Sequence, residues 1–341
     1  MNAINMKKIR WCVIGAGGIA DRRGIPALLS DSDNEILAVM DARLETAKAV
    51  AEKYNIPAYF DDVEQMLRST AFDAAYIATP VFCHYEQATL TLKYGLNVFM
   101  EKPLAMTEAE SKAIVDAFEK AGKQLTVGYM MGYHNLHEKA RQLISDGQLG
   151  DINLVRMQFS CWYPDIPGAW RQDPARSGGG CIMDLAVHCM ELFSSITGDC
   201  IADCQAYFAT KTFSYPVEDS AVIMFRSEKG TIGHIDVNFN IPDNCAASRL
   251  EIYGTDGSIY AVGTLGQEEA GTMQFIYAPQ RSYDAQQVRA VTEPQTFAGA
   301  GGNIYQKQFA AFNALLNSKP CYDNPRTAQY IQKLCDQIYG R

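Results

Sequence analysis

Three clusters in the chain carry chemistry by residue type and spacing. The first is Gly15-Ala16-Gly17-Gly18-Ile19-Ala20, a GxGxxA turn that follows a short apolar run. Gly15 permits a tight turn, Gly17 lets the backbone approach a pyrophosphate, and Ala20 allows a helix to pack closely on a strand. Gly18 and Ile19 open that helix, whose N–H groups and partial positive charge face the diphosphate. Asp41 ends the second apolar run, 21 positions after Ala20. A carboxylate there accepts hydrogen bonds from the adenosine ribose and repels a 2′-phosphate, which favours NAD over NADP. Arg43 leaves NADP open, because a guanidinium pairs well with such a phosphate.

The second cluster is Ala78-Thr79-Pro80 with His84, then Glu101-Lys102-Pro103-Leu104. The third is Trp170-Arg171, Gly178-Gly179-Gly180, Asp184 and His188. Beside a hydride-accepting cofactor, a protein must remove a hydroxyl proton and stabilise the oxyanion left behind. His188 is the best base by type. Asp184 lies one helical turn before it, on the same face, and either orients the imidazole, binds a substrate hydroxyl, or does both. Lys102 supplies a cation for the developing alkoxide. X–Pro bonds prefer trans by only about 0.5–1 kcal/mol, so Lys102–Pro103 is a candidate cis bond that would turn the lysine out of the sheet end. The triple glycine would let the helix carrying Asp184 approach the cofactor.

The remaining candidates have two readings each. His84 opens the helix after Pro80 and stands either near the nicotinamide or in a packing or capping role. Trp170 offers an aromatic wall for a ring and Arg171 a donor for hydroxyls; alternatively Arg171 tethers its loop to Asp173 or to the sheet. Tyr129, Tyr163 and Arg156 are weaker substrate contacts and suit a core or a sheet surface. His134, His137 and Glu138 lack metal-site spacing and a third ligand, so no metal is expected. His234, inside a strand pattern, reads as structural.

The elements that position these residues follow from periodicity. Arg10–Ile14, Ile36–Met40, Ala74–Ala78, Asn97–Met100 and Leu125–Val127 are short apolar runs between amphipathic stretches, the pattern of a parallel sheet covered on both faces. Thr107 and Glu110 form a capping box, Ile114, Ala117, Phe118 and Ala121 share a helix face, and Gly122 ends that helix. After Gly128 the period changes. Val155, Met157 and Phe159 alternate with polar residues, as do Ile235, Val237 and Phe239. Further strands are read at Ala221–Phe225, Arg249–Tyr253 and Ser258–Ala261, and helices at Leu136–Ser145, Asn303–Ser318 and Arg326–Tyr339. The expected fold is α/β: an N-terminal doubly wound Rossmann domain over residues 1–128, then an α+β domain over 129–341 with a large, mostly antiparallel sheet.

Composition narrows the function classes. A chain of 341 residues suggests two domains. Its formal net charge of −9 disfavours nonspecific binding to nucleic acid or anionic membranes. No apolar run approaches the roughly 18 residues of a membrane span. The ten cysteines have no CxxC spacing and read as reduced, mostly buried thiols. Met6-Lys7-Lys8-Ile9-Arg10 before an apolar run imitates a signal peptide, but the glycines that follow make a poor apolar helix, so a cytoplasmic protein is expected.

In their order along the chain, the glycine turn, Thr79-Pro80, Glu101-Lys102-Pro103, Trp170-Arg171, the triple glycine with Asp184 and His188, and Val217-Glu218-Asp219-Ser220 resemble the Gfo/Idh/MocA family of NAD(P)-dependent oxidoreductases. The resemblance covers nearly the whole chain. It implies oxidation of a secondary hydroxyl of a sugar, glycoside or cyclitol, or the reverse reduction, with Lys102, Asp184 and His188 as the catalytic set. It also implies a homo-oligomer, a dimer or tetramer, built through the C-terminal sheet. Two alternatives stay open: a redox-neutral, NAD-dependent glycoside-cleaving enzyme, and a non-catalytic NAD- or sugar-sensing regulator on the same fold. Relatives often carry Arg where this chain has Gly132, Gly where it has Ala186, and Asp where it has Glu191.

Overall fold

The computed structural model describes residues 8–280, 282–283, 285–286, 292–317 and 324–341. Met6, Lys7, Arg281, Ser318 and Cys321 lie outside the described residues. The chain divides into two compact units: residues up to Gly128 with Tyr305–Lys333, and Tyr129–Ile304 with Leu334–Arg341. Tyr305–Lys333, placed with the second domain from sequence, clusters with the first unit instead.

The first unit is built on a six-stranded sheet of β1 (Ile9–Ile14), β2 (Asn34–Met40), β3 (Ala58–Phe60), β4 (Ala74–Ile77), β5 (Asn97–Met100) and β6 (Leu125–Val127). Its order is β3-β2-β1-β4-β5-β6, and every pairing is parallel. The order reverses between β1 and β4, so the crevice at their carboxyl ends is the switch point where ligands of open α/β sheets bind. One face is covered by the helix Ile304–Leu316, whose Phe309 stacks on Phe99 at 4.4 Å and whose Phe312 meets Trp11 at 5.4 Å. The Trp11 indole donates to Asn34 Oδ1 at 2.9 Å, so its polar edge is satisfied within the core. Asn324 closes the sheet edge by accepting from the Val127 N–H and donating to its carbonyl.

The helix Glu108–Ala121 starts where the capping box indicates, with Thr107 accepting from the Glu110 N–H at 3.2 Å. The Glu110 carboxylate reaches back to the Met106 N–H rather than to Thr107. The buried face is Ser111, Ile114, Val115 and Phe118; Ala117 and Ala121 are exposed, because the stripe follows the large side chains and leaves small alanines at its margin. Gly122 ends the helix in the left-handed conformation, at φ 63°.

The second unit holds an eight-stranded sheet of β7 (Ile152–Ser160), β8 (Ile201–Ala209), β9 (Ser220–Ser227), β10 (Ile232–Asn238), β11 (Arg249–Gly254), β12 (Gly257–Val262), β13 (Thr272–Tyr277) and β14 (Gln295–Ala298). Its order is β14-β13-β12-β11-β7-β10-β9-β8. The pairing of β7 with β10 is parallel and the other six are antiparallel. Val155, Met157, Ile223, Phe225, Ile235, Val237, Leu250 and Ile252 point to one face and are buried. The helix Val187–Thr197 packs there, with Phe193 against Phe225 at 5.0 Å. The run Pro174–Thr197 is long and apolar enough, by length and composition, to cross a membrane, contrary to the sequence expectation, and 89% of its most apolar stretch is buried inside the protein. A helix apolar on all sides suits that enclosed position.

Candidate functional site

In the first unit, the glycine turn leaves β1 at the switch point. Gly15 has φ +96°, and a Cβ on it would lie 2.8 Å from the Ala78 carbonyl carbon and 2.9 Å from Thr79 Cγ2. Only glycine serves there. A Cβ on Gly17 would meet no described atom within 4 Å, so the backbone at Gly17 borders open space. The helix that follows contains one wide turn over Ala20–Gly24, where the Ile25 N–H reaches back five residues to the Ala20 carbonyl.

Asp41 does more than end β2. Its carboxylate accepts from the Ala16 N–H at 3.1 Å and from the Arg43 N–H at 3.1 Å, and Arg43 Nε stands 3.7 Å away. The acid therefore braces the glycine turn. The Arg43 side chain is 76% exposed, against 15% for Asp41. These features suit an adenine dinucleotide: a positive-φ glycine, an unobstructed second glycine, a helix N-terminus and a carboxylate at the end of β2.

The turns after β4 and β5 stand side by side, because the Glu101 N–H continues the ladder to the Ile77 carbonyl at 2.9 Å. Glu101 is buried and accepts the Tyr76 hydroxyl at 2.7 Å. That carboxylate and burial raise the Tyr76 pKa, burial most, so the phenol stays a donor. The Lys102–Pro103 bond is cis, and Lys102 is partly exposed. His84 is the first residue of the helix His84–Lys93 and is buried. Its Nδ1 lies 2.9 Å from the Pro103 carbonyl and its Nε2 3.0 Å from the Thr79 carbonyl. Both ring nitrogens face the protein backbone, which is the packing alternative for His84.

In the second unit, Asp184 lies in a wide turn, Ile182–Ala186, in which the Val187 N–H bonds back to the Ile182 carbonyl. Such turns recur at functional sites because the extra residue re-aims its neighbours. Asp184 Oδ1 stands 3.4 Å from Arg171 Nε. Arg171 also lies over the Trp170 ring at 4.4 Å, and the nearby Tyr163 hydroxyl acts on its charge. Burial alone would lower the Arg171 pKa; Asp184 and Tyr163 outweigh it and hold it above the ordinary value. Burial and the Asp184 charge raise the Tyr163 pKa against the opposing pull of Arg171. The Arg171 tether thus goes to Asp184. Asp173 is engaged elsewhere, accepting from the Ala175 N–H at the start of the helix Pro174–Ser177.

His188 is 4% exposed, with its ring edge-on to Tyr129 at 5.8 Å and to Phe159 at 6.2 Å. Tyr129 is 1% exposed, a placement that suits a packing partner of His188. Arg156 lies on the sheet face, 3.6 Å from Glu251 and over the Tyr253 ring. His234 stands 3.9 Å from Asp236 within β10. His134 and His137 form a buried stacked pair with centroids 4.9 Å apart. His137 faces the Met131 carbonyl and the Thr264 hydroxyl, and His134 the Ala270 carbonyl. Beside Gly132, the Arg141 guanidinium donates to the Gly132 carbonyl and to the Ser195 hydroxyl.

The triple glycine is packed closely by distant parts of the chain. A Cβ on Gly179 would lie 2.0 Å from the Tyr339 hydroxyl, and one on Gly180 2.0 Å from the Glu218 carbonyl. The small residues admit Glu218 and Tyr339. The Glu218 carboxylate is buried and accepts from the Gly180 N–H at 2.9 Å, the Ile182 N–H at 3.0 Å and the Tyr339 hydroxyl at 2.7 Å. It caps the helical run that carries Asp184 and His188. Asp219 gathers the N–H groups of Lys211, Thr212 and Phe213. Burial would raise its pKa, but these donors hold it below the ordinary carboxylate value.

Residues 9–129 match the family described as oxidoreductase family, NAD-binding Rossmann fold, and residues 137–260 match the GFO/IDH/MocA C-terminal domain. The chain is 26% identical over 308 residues to a 1,5-anhydro-D-fructose reductase of Ensifer adhaerens, covering 90% of this chain and 88% of the relative. It is 27% identical over 266 residues to a D-xylose 1-dehydrogenase (NADP(+)) of Haloferax volcanii, covering 78% and 79%. Its fold matches that of levoglucosan dehydrogenase in complex with NADH and levoglucosan, with a TM-score of 0.84 at 20% identity over 98% of this chain and 97% of the other.

Proposed function

This chain belongs to the GFO/IDH/MocA family of oxidoreductases, and on that premise we propose that it is a dehydrogenase oxidising a secondary hydroxyl of a sugar, glycoside or cyclitol, or reducing the keto form. The observation that carries the reading is the glycine turn braced by Asp41 at the switch point. Relatives named as sugar dehydrogenases and reductases support the substrate class. The Asp41 carboxylate favours NAD over NADP at the adenosine ribose, even though Arg43 stands beside it.

A bound nicotinamide supplies the hydride acceptor. Lys102 stabilises negative charge on the reacting oxygen, and His188 takes the hydroxyl proton. Asp184, held by Arg171, offers its carboxylate to a substrate hydroxyl or to the His188 ring, and Trp170 presents an aromatic face to the sugar. The nine described cysteines are reduced thiols, the state expected in a cytoplasmic enzyme. The face of the second sheet that bears exposed Tyr207, Val222, Met224 and Ile232 supports self-association into a dimer or tetramer.

The test is a panel of sugars, glycosides and inositols with NAD and NADP, followed by absorbance of the reduced cofactor. Lys102→Met should lower turnover by roughly 10²–10³-fold, the usual loss when a charge-stabilising group is removed. NAD binding, followed by fluorescence, should change little. Turnover that survives Lys102→Met refutes the assignment.

A further inference from the structure

We propose that His84 is a positioning residue, one that fixes the Lys102–Pro103 turn against the Thr79–Pro80 turn and through it against the glycine turn. The proposal rests on the reading of Lys102 as a group acting on the reacting oxygen. The imidazole stands between two backbone carbonyls, Pro103 at 2.9 Å and Thr79 at 3.0 Å. The first belongs to the residue after Lys102. The second belongs to the residue whose methyl group, with the Ala78 carbonyl, closes on Gly15. One side chain therefore links the segments leaving β1, β4 and β5.

The link is rigid. His84 is 1% exposed, and its backbone is the first residue of the helix His84–Lys93. Pro103, Leu104 and Ala105 are buried, so the lysine turn is packed on its far side as well. A neutral imidazole carries a single N–H and donates to one of two carbonyls at a time. Burial draws the His84 pKa below its ordinary value, against the pull of both carbonyls. One of the two carbonyls therefore always faces a ring lone pair, acceptor against acceptor, which stability alone does not favour. A local rule broken at a buried position beside a candidate catalytic lysine is the mark of a functional constraint.

The experiment compares His84→Phe with His84→Gln. Phenylalanine keeps the ring and the burial but donates to neither carbonyl; glutamine supplies an NH2 group with two donors. A displacement of about 1 Å costs up to ~100-fold in rate. His84→Phe should therefore lower kcat about 10- to 100-fold, leave KM for the sugar and the NAD dissociation constant within about threefold, and be partly rescued in His84→Gln. A double-mutant cycle separates positioning from general damage. In a Lys102→Arg background, His84→Phe should cost no more than about twofold, because the group it positions has already been replaced. Equal loss in both backgrounds, loss confined to NAD affinity, or unchanged kcat in His84→Phe overturns the proposal. Should His84→Phe fail to fold, His84→Leu, which also donates to neither carbonyl, runs through the same cycle and decides by the same criteria. A Lys102→Met enzyme that turns over at the parental rate instead overturns the function itself, whatever the His84 variants do.

Discussion

Replacing Glu218 by glutamine should loosen the helical run that carries Asp184 and His188 while changing one atom. The carboxylate receives three donors: the N–H of Gly180, the N–H of Ile182 and the hydroxyl of Tyr339. A glutamine has one oxygen. Placed where it keeps Ile182 and Tyr339, it turns its NH2 toward the Gly180 N–H, donor against donor. A buried donor left unsatisfied costs about 1–3 kcal/mol, and the two surviving bonds lose the assistance of the charge. Relief from burying an anion offsets part of this. We expect a net loss of about 2–4 kcal/mol. At roughly 2–4 °C per kcal/mol for a unit of this size, Tm falls by about 5–15 °C. Thermal and urea unfolding measure the stability, and kcat at 25 °C, where the variant stays folded, measures the effect on the helix start. Tyr339→Phe is the control. It removes one donor and leaves the carboxylate its two backbone partners, so it should cost only about 1 kcal/mol. If Glu218→Gln unfolds within about 2 °C of the parent and keeps its kcat, the carboxylate is not the cap described here.

Asp41→Asn should raise KM for NAD by about tenfold, the worth of a charged hydrogen bond to the ribose, while KM for NADP stays level or falls; an unchanged preference between the two cofactors in steady-state assays would contradict the ribose role. The asparagine oxygen still accepts from Ala16, and the Arg43 N–H it releases is exposed and turns to water, so Tm should hold. Stability should fall on acidification. Burial, and then the neighbouring His134, push the His137 pKa down to about 3. The unfolded chain takes up that proton near pH 6.5 and the folded one does not. Stability from this residue is therefore complete above about pH 6.5 and is lost below it, by about 2 kcal/mol between pH 8 and pH 5. His84, also depressed by burial, acts with the same sign. Urea midpoints against pH should flatten in His137→Gln; a slope equal to the parent's would contradict the assignment.

Much of the first unit was legible because its signals are local. Buried parallel strands write themselves as unbroken apolar runs, and a glycine turn or a threonine cap is read from neighbours in sequence. β3 escaped because it is a three-residue edge strand whose Tyr59 points to solvent. In the second unit, β8 carries Asp203 and Gln205 outward, and β14 has no apolar alternation at all. The site was legible in its residue types but not in its contacts. Arg171 could be seen as a donor, whereas its pairing with Asp184 depends on how a loop folds back. Glu218 appeared only as part of a family motif. Its partners stand 38 and 121 positions away, and no periodicity connects them. The triple glycine was noticed for its composition, but the groups that crowd it were out of sight, because they come from those distant positions.

The place of β7 has a consequence for how this protein is made. β7 is the earliest strand of its sheet in the chain, yet it lies in the interior of the sheet, flanked by β10 and β11. Ile232 pairs with Leu154, 78 positions upstream, and Tyr253 pairs with the same residue from the other side. A nascent chain leaving the ribosome therefore exposes both edges of a strand with one apolar face until nearly a hundred further residues have been translated. Chaperone capture during synthesis should centre on this stretch, and yield should depend on translation rate more steeply than for a sheet laid down hairpin by hairpin.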